Sequence, residues 1–376
     1  MATERNPIRH KTHWAEDSKQ LPNLPNEINV EILLRLPVKS LLRFRCACKS
    51  WCSSISDPKF VKTHLSLASS NPSYTHQRLL ITNDPLCDIK SCSISSIMRH
   101  EQSVTAVGVD YPFVPKRFWI EATCDGLVCV HTDKKTIFLW NPSTKKSRKL
   151  PSITIPYDWS PACGLGYDTS TDDYKVVLVF NGGSNRDYHR NKVAVYALRA
   201  DSWRRIADCP HSIPMAGKGK FVSGALHWTV SGSSSVELIV SLDLAKETYG
   251  EVLQPDYNSD GVFLSTMDVL SGYLCMLCRQ WRNHGVHVDL WVMKEYGIRE
   301  SWTKLVAVHD VTHPLYYLYG ENFTPKCILN NGDVLMVVRM CLVRYNPNNG
   351  KFSYPKICGV FPNYSVYPYI ESLVSP

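Results

Sequence analysis

Cys275 and Cys278 are separated by two residues, which is the spacing that zinc sites and redox-active thiol pairs use. Both lie in an apolar run typical of a β-strand, where residues three positions apart face opposite sides of the sheet. Zinc requires four converging ligands, and no second pair at a useful spacing accompanies these cysteines. The pattern therefore predicts thiols that pack in the core, and no metal site.

The other cysteines and histidines that could react or bind a metal are likewise predicted to have no such role. Cys46, Cys48 and Cys52 fall in a predicted helix, and His284 and His287 fall in a predicted loop. The sequence contains no P-loop, HExxH, GxSxG or dinucleotide-binding motif. It therefore predicts no catalytic residue, no metal and no cofactor. The function that remains is recognition of another molecule, which depends on the helices and strands that present side chains to a partner.

The composition of the 376 residues is that of a folded chain, with 44% hydrophobic and 20% charged residues. The net charge of +8 is a mild excess, so we expect no nucleic-acid partner. No long apolar run occurs and residues 1–20 are polar, which predicts a disordered tail over residues 1–21, no signal peptide and no membrane partner. The 14 cysteines are expected to be free thiols in a cytoplasmic location, a nuclear location, or both.

Residues 22–66 show helical periodicity in three segments. The first segment ends at Pro37, Ser40 is placed to cap the second, and Asp57 with Pro58 is placed to begin the third. The apolar positions are Ile28, Ile32, Leu33 and Leu36 in the first helix, Leu41, Phe44, Cys48, Trp51 and Ile55 in the second, and Phe60, Val61 and Leu65 in the third.

A module of about 45 residues is too small to bury all of these side chains in its own core. Leu24, Pro25 and Ile28 cannot all point inward together with Leu33 and Leu36. Two arrangements satisfy the pattern. The apolar face binds another protein, or it packs on the β-rich remainder of the chain. The periodicity alone favours neither.

This segment resembles the F-box of plant proteins over its whole length. The matching positions are Leu24-Pro25, Glu27, the run Ile-Leu-Leu-Arg-Leu-Pro-Val-Lys-Ser-Leu-Leu-Arg-Phe-Arg at 32–45, Lys49 and Trp51. The resemblance implies an SCF-type ubiquitin ligase, in which the F-box binds a Skp-type adaptor and through it a cullin and a RING subunit. It implies internal packing for Phe44 and Trp51. The implied adaptor-binding residues are Leu24, Pro25, Ile28, Ile32, Leu33, Leu36, Pro37, Leu41 and Leu42.

After residue 66 the pattern changes. Ser, Asn and Pro predict a linker at 67–77. From residue 78 to 376, short runs rich in Val, Ile, Tyr, Phe and Trp alternate with turn residues. Apolar anchors recur about every 50 residues, at Trp140, Tyr196, Leu242, Val292 and Tyr345. This period predicts a β-propeller of five or six blades, with a pair of β-sandwiches as the alternative.

A second repeat is formed by glycines that each precede a short apolar strand, namely Gly126, Gly224, Gly272 and Gly332. Segments of this region resemble the F-box-associated interaction domain, often labelled kelch-like, at residues 124–128, 140–144, 164–168, 173–177 and 369–374. Kelch repeats carry a Gly-Gly doublet in each blade, whereas this chain has Gly182-Gly183 alone, so strict kelch repeats are not expected. The resemblance implies that this domain selects the target protein.

Aromatic residues between the predicted strands are candidates for target recognition, because Tyr, Trp and Arg anchor many protein interfaces. The loops of a propeller gather at two faces, so loops distant in sequence can form one site. The alternative is that these aromatic residues cover blade edges. The candidate substrate-binding residues are Trp159, Tyr188, Trp281, Tyr317 and Tyr319.

The prediction as a whole is an α+β multidomain chain, with a small three-helix F-box at 22–66 and an all-β domain at 78–376. The predicted function is a non-catalytic receptor that brings an unidentified target protein to ubiquitination. Two alternatives remain open. The β domain is a galactose-oxidase-like enzyme or a ligand-binding propeller, or the F-box protein uses its adaptor without degrading the target.

Overall fold

The chain forms an N-terminal helical region followed by a six-bladed β-propeller, in agreement with the fold class that the sequence predicts. The predicted disordered tail lies outside the described residues. The computed structural model describes residues 24–71, 76–83, 88–99, 103–112, 117–132, 136–153, 161–181, 191–211, 217–231, 237–257, 262–282, 285–308, 323–338, 341–361 and 364–376.

The helical region contains four helices where the sequence predicts three. They are α1 (Asn26–Leu34), α2 (Val38–Phe44), α3 (Lys49–Ser56) and α4 (Pro58–Ser70). The predicted second helix is split, because the chain turns after α2 and Cys48 adopts an extended conformation with φ −157° and ψ 163°. Ser40 lies inside α2, and Pro37 occupies the N-cap position instead. Pro37 disfavours a helical conformation at the residue before it, so α1 ends before this proline. Pro37 itself then serves as the N-cap from which α2 begins.

Helix α4 starts as predicted and extends further than predicted. The Asp57 side chain accepts a hydrogen bond from the Lys59 backbone N–H at 2.7 Å, and Pro58 holds the first helical position. The helix then continues to Ser70, so residues 67–70 of the predicted linker are helical. The Ser69 and Ser70 hydroxyls donate to carbonyl oxygens one turn earlier, which satisfies these polar side chains within the helix.

The propeller consists of short antiparallel strands. In chain order they are β1 (Gln77–Asn83), β2 (Asp88–Ser93), β3 (Val104–Thr105), β4 (Val107–Gly108), β5 (Trp119–Cys124), β6 (Leu127–His131), β7 (Ile137–Asn141), β8 (Lys146–Lys149), β9 (Ala162–Asp168), β10 (Asp173–Asn181), β11 (Asn191–Ala197), β12 (Ser202–Arg205), β13 (Lys220–Val222), β14 (Ala225–Ser231), β15 (Glu237–Asp243), β16 (Tyr249–Val252), β17 (Val262–Leu270), β18 (Tyr273–Arg282), β19 (Gly285–Met293), β20 (Trp302–Val308), β21 (Phe323–Ile328), β22 (Val334–Val338), β23 (Cys341–Asn346), β24 (Lys351–Ser353), β25 (Ile357–Cys358) and β26 (Tyr364–Ile370). A short helix, α5 (Ile94–Met98), follows β2, and a 3-10 turn (Arg299–Ser301) precedes β20.

These strands form six four-stranded blades. Blade 1 has the order β26-β1-β2-β4, and blades 2 to 6 are β5–β8, β9–β12, β13–β16, β17–β20 and β21–β24. The inner strands of the blades contact one another in a closed ring, from β26 through β5, β9, β13, β17 and β21 back to β26. The ring excludes the β-sandwich alternative. Buried clusters between neighbouring blades supply the core.

The last strand closes the ring. Strand β26 pairs antiparallel with β1, from Gln77 opposite Ile370 to Asn83 opposite Tyr364. The C-terminal strand is therefore the inner strand of the blade that β1 begins. A parallel pair between β3 and β25 adds a second link between blade 1 and the end of blade 6. Closure of this kind removes the exposed sheet edges of an open array.

Both sequence repeats have structural counterparts. The anchors Trp140, Tyr196, Leu242, Val292 and Tyr345 all lie in third strands of their blades and are buried. The repeated glycines lie in turns between first and second strands. Asp125-Gly126, Ser223-Gly224 and Ser271-Gly272 have positive φ at both positions, which is the geometry of tight type I′ hairpins.

The Cys-x-x-Cys pair packs as predicted. Cys275 and Cys278 both lie in β18 and are buried. Cys275 joins the cluster with Val292 and Val334, toward blade 6, whereas Cys278 joins the cluster with Met267 and Ile239, toward blade 4. Their sulfur atoms thus lie on opposite faces of the blade.

Candidate functional site

Helix α1 presents an apolar stripe to solvent. Ile28 and Ile32 lie one turn apart on the same side of α1 and are exposed by 46% and 48%, and Leu24, two residues before the helix, is exposed by 55%. Pro25 is exposed beside them. We call these four residues the α1 face. Exposed aliphatic side chains in a continuous stripe are typical of a protein-docking surface.

The predicted docking residues beyond α1 extend this surface in part. Pro37 is exposed, and Leu36 and Leu42 are half-buried. The Leu36 carbonyl oxygen lies 3.0 Å from Nε2 of His64, a buried residue of α4. Burial lowers the pKa of His64, so the neutral ring can donate from Nε2 to this carbonyl. This bond fixes the end of α1, and with it the surface formed by Leu36 and Pro37.

Two predicted docking residues are instead part of the core of the helical region. Leu33 is 1% exposed and Leu41 is fully buried, and both pack with Ile55 and Phe60. Their predicted contact with a partner stays a prediction, while in the structure both side chains are turned away from solvent. The physical reason is that four short helices pack around one centre, and each must turn at least one large side chain inward.

Phe44 and Trp51 pack against the same helical core, as the resemblance implies. Their ring centroids lie 5.2 Å apart with tilted planes, which is a favourable geometry for an aromatic pair.

Helix α4 attaches the helical region to the propeller. Val61 and Leu65 pack against the buried cluster between blades 2 and 3. Lys62 Nζ forms an ion pair with Asp172 at 2.6 Å. Hydrogen bonds from Lys62 and Tyr167 lower the pKa of Asp172 to about 2, so this carboxylate stays charged at neutral pH. The contact combines apolar packing with one charged pair at its edge.

The C-terminal segment lies between the two parts of the chain. Leu373 packs against the helical core, while Val374 joins the cluster between blades 2 and 3. The buried Asn141 side chain donates hydrogen bonds to the backbone oxygens of Ser372 at 3.1 Å and Val374 at 2.7 Å. Sequence reasoning missed this role, because nothing in the local pattern of the tail shows that it contacts two domains.

The structure describes one of the five candidate substrate-binding residues. Trp159, Tyr188, Tyr317 and Tyr319 lie outside the described residues. Trp281 is not in a loop as predicted, since it belongs to β18 and its backbone pairs with Val286 of β19. Strands β18 and β19 pair as far as Arg282 opposite Gly285, so the regular sheet includes Trp281.

The strand order shows at which end of the propeller the candidate substrate-binding residues lie along the chain. In each antiparallel blade, the second-to-third and fourth-to-first connections leave one end, and the two other connections leave the opposite end. Helix α4 contacts the end where first strands join second strands, since Ser69 and Ser70 line the same cavity as Asp125 and Gly126. Trp281 lies near the end of β18 that leads into a second-to-third connection. The other four candidates belong to second-to-third or fourth-to-first connections, whose flanking strands end away from α4.

Two further observations concern the described part of the chain. None of its helices is long and apolar enough to cross a membrane. Within the same ranges, no three His, Cys, Asp or Glu side chains come together in a group that could hold a metal ion.

Comparisons with known proteins agree with the two-part architecture. Residues 21–63 match the F-box domain, and residues 80–358 match the F-box associated beta propeller domain. The F-box/kelch-repeat protein At3g23880 of Arabidopsis thaliana is 34% identical over 370 residues, which cover 94% of this chain and 96% of the relative. The F-box protein CPR1 of the same plant is 31% identical over 319 residues, covering 77% and 73%.

Among solved structures, the chain is similar to TolB from Acinetobacter baumannii. The TM-score is 0.46 at 10% sequence identity, with 81% of this chain and 70% of TolB covered. No function is transferred at this level of similarity.

Proposed function

Since the chain belongs to the family of F-box proteins that carry an F-box associated β-propeller domain, we propose that it is a substrate receptor of an SCF-type ubiquitin ligase. The single observation that carries this proposal is the exposed α1 face, which remains uncovered although the helical region packs firmly on the propeller. In this proposal the α1 face docks on a Skp-type adaptor, with Leu36, Pro37 and Leu42 at its edge. The adaptor links the chain to a cullin and a RING subunit.

The proposed mechanism is positioning, with no bond chemistry by this chain. The propeller binds a target protein at the end away from α4, where the connections with the candidate aromatic residues arise. The adaptor side holds the ubiquitin-charged enzyme. Tethering both raises the effective concentration of target lysines near ubiquitin, which accelerates transfer without any new catalytic group. The proposed location is the cytoplasm, the nucleus, or both.

A rigid link between the two parts supports this mechanism. If α4 were free to move, the distance between target and ubiquitin would vary and the gain from tethering would fall. Val61 and Leu65 bury apolar surface against blades 2 and 3, and Leu373 connects the propeller strand β26 to the helical core. The contacts are therefore suited to holding a target at a fixed distance from the adaptor.

Proximity labelling in plant cells tests the proposed function. The full-length chain, fused to a labelling enzyme, is expected to label adaptor and cullin subunits, and a set of proteins that accumulates when the proteasome is inhibited. The matched control is a variant with Leu24, Ile28 and Ile32 replaced by Asp. It should lose the adaptor and cullin, and it should label the targets without the inhibitor, because the propeller still binds them.

The outcomes test the ligase assignment and the degradative role separately. Absence of adaptor and cullin from the wild-type sample would contradict the ligase assignment. Presence of both, with labelled proteins whose abundance does not respond to the inhibitor, would contradict the degradative role.

A further inference from the structure

The propeller encloses a central channel with a cavity volume of about 1540 Å³. Its wall is formed by the inner strands and the residues next to them. Typical small-molecule sites measure about 300–1,000 Å³, so the channel has room for an organic ligand and its water. Hydroxyl groups from several blades line it, including Thr229, Thr266 and Thr324.

Two lysines in the wall share one carboxylate. Lys220 Nζ lies 2.7 Å from one oxygen of Asp268, and Lys326 Nζ lies 3.1 Å from the other. The side chains of Lys326 and Asp268 are each 11% exposed. Burial would raise the pKa of Asp268, but the two lysines outweigh it and hold this pKa well below its usual range. The cluster of three groups therefore carries a net charge of about +1 at neutral pH.

A third lysine approaches the channel from blade 4. Lys218 Nζ donates hydrogen bonds to the Ile120 carbonyl oxygen at 2.7 Å and to the Tyr367 hydroxyl at 3.1 Å. Burial alone would lower the pKa of Lys218, but Tyr367 and Glu121 outweigh it and raise this pKa. Lys218 is therefore a cation at neutral pH, and Glu121 and Asp268 are the acids that stabilise its charge.

Three ammonium groups (Lys218, Lys220 and Lys326) and three carboxyl groups (Glu121, Asp125 and Asp268) belong to the described lining residues. Asp268 neutralises one of the two lysines that it contacts, and the hydrogen bonds of Lys218 go to neutral oxygens. Asp125 accepts a hydrogen bond from Tyr174, and burial raises its pKa. Burial also raises the pKa of Glu121, which weakens it as a counter-charge. Buried charge without a counter-ion is costly, and an anion in the channel would offset that cost.

We propose that the central channel binds a small molecule that carries an oxyanion group, a phosphate or a carboxylate, held by Lys218, Lys220 and Lys326. Each ammonium group offers three N–H donors and acts as a point charge toward an oxyanion. The threonine hydroxyls of the wall supply hydrogen bonds for the uncharged part of the ligand. A small molecule is favoured over a polypeptide segment, because Ser69 and Ser70 at the end of α4 lie at the mouth of the channel.

Titration of the full-length chain with inorganic phosphate and with citrate tests the proposal. Each probe is compared with sodium chloride at equal ionic strength, and the melting temperature and the binding heat are measured. A saturable rise in melting temperature is expected with at least one probe, and the stronger of the two identifies the oxyanion class. The variant Lys326→Gln should weaken that binding at least about tenfold, since it removes one of the cationic donors.

The matched control is Lys304→Gln. Lys304 pairs with Asp289 at 2.6 Å on the outer part of blade 5 and is 43% exposed, so its loss should leave anion binding unchanged. A second variant works in the opposite direction, because Asp268→Asn removes a negative charge from the wall and should tighten anion binding. The proposal is overturned if neither probe exceeds chloride, if Lys326→Gln binds as the wild type does, or if Asp268→Asn binds no more tightly than the wild type.

Discussion

Replacing Leu24, Ile28 and Ile32 with Asp is expected to reduce affinity for a Skp-type adaptor at least about a hundredfold, so that the adaptor no longer co-purifies. The three side chains belong to the α1 face and are about half exposed in the free chain. Each substitution removes an apolar anchor and places a carboxylate in a surface that must become dry on binding. Calorimetric titration of the purified chain with adaptor measures the effect.

The structure predicts that this triple variant still folds. All three positions are exposed, and substitutions at such positions usually change stability by less than about 0.5 kcal/mol each. Leu253→Asp is the matched control, because Leu253 is 58% exposed on the propeller and outside the α1 face. Wild-type affinity in the triple variant, or an equal loss in Leu253→Asp, would contradict the assignment of the α1 face.

Leu33→Ala is expected to unfold the helical region while the propeller remains folded. Leu33 is 1% exposed and lies at the centre of the helical core with Leu41, Ile55 and Phe60. A buried Leu→Ala substitution costs about 2–5 kcal/mol, which is a large part of the stability of a region this small. Hydrogen exchange of residues 26–70, followed by mass spectrometry, should show loss of protection there and native protection in the blades.

The neighbouring residue provides the control. Ile32→Ala removes a similar side chain from the exposed face, so exchange in the helical region should stay close to that of the wild type. A Leu33→Ala variant with native exchange rates that nevertheless fails to bind adaptor would show that Leu33 contacts the adaptor, as the F-box resemblance implies.

The comparison of Leu33 with Ile32 also shows how far the sequence could predict the site. Helical periodicity groups Ile28, Ile32, Leu33 and Leu36 on one broad face, and it correctly identifies a surplus of apolar side chains. Which of them turn inward depends on where α2, α3 and α4 pack against α1. That information is tertiary, so the sequence alone does not show that Leu33 and Leu41 are buried in the core of the helical region.

The propeller was predictable because each blade requires the same residue types at the same positions. A glycine is needed where a hairpin requires positive φ, as at Gly126, and a large apolar residue is needed in the third strand, as at Trp140. Blade 1 lacked a clear repeat because its inner strand, β26, comes from the other end of the chain. No window of sequence contains both β26 and β1, so the count of blades stayed open between five and six.

The charged residues of the channel could not be recognised from sequence either. Lys220, Asp268 and Lys326 each stand in or beside a short strand of a different blade and look like ordinary surface residues of a polar turn or edge. The fold brings them within hydrogen-bond distance of each other. A charged residue in the first strand of a blade is the one local signal, and it becomes meaningful only when the ring is known.

Hydrogen exchange of the full-length chain with and without a Skp-type adaptor tests whether the α1 face binds the adaptor. We expect slower exchange in residues 26–42, which contain α1 and the start of α2, and unchanged exchange in the inner strands β5 and β17. Adaptor binding that protects the propeller strands and leaves α1 unprotected would contradict this role of the α1 face.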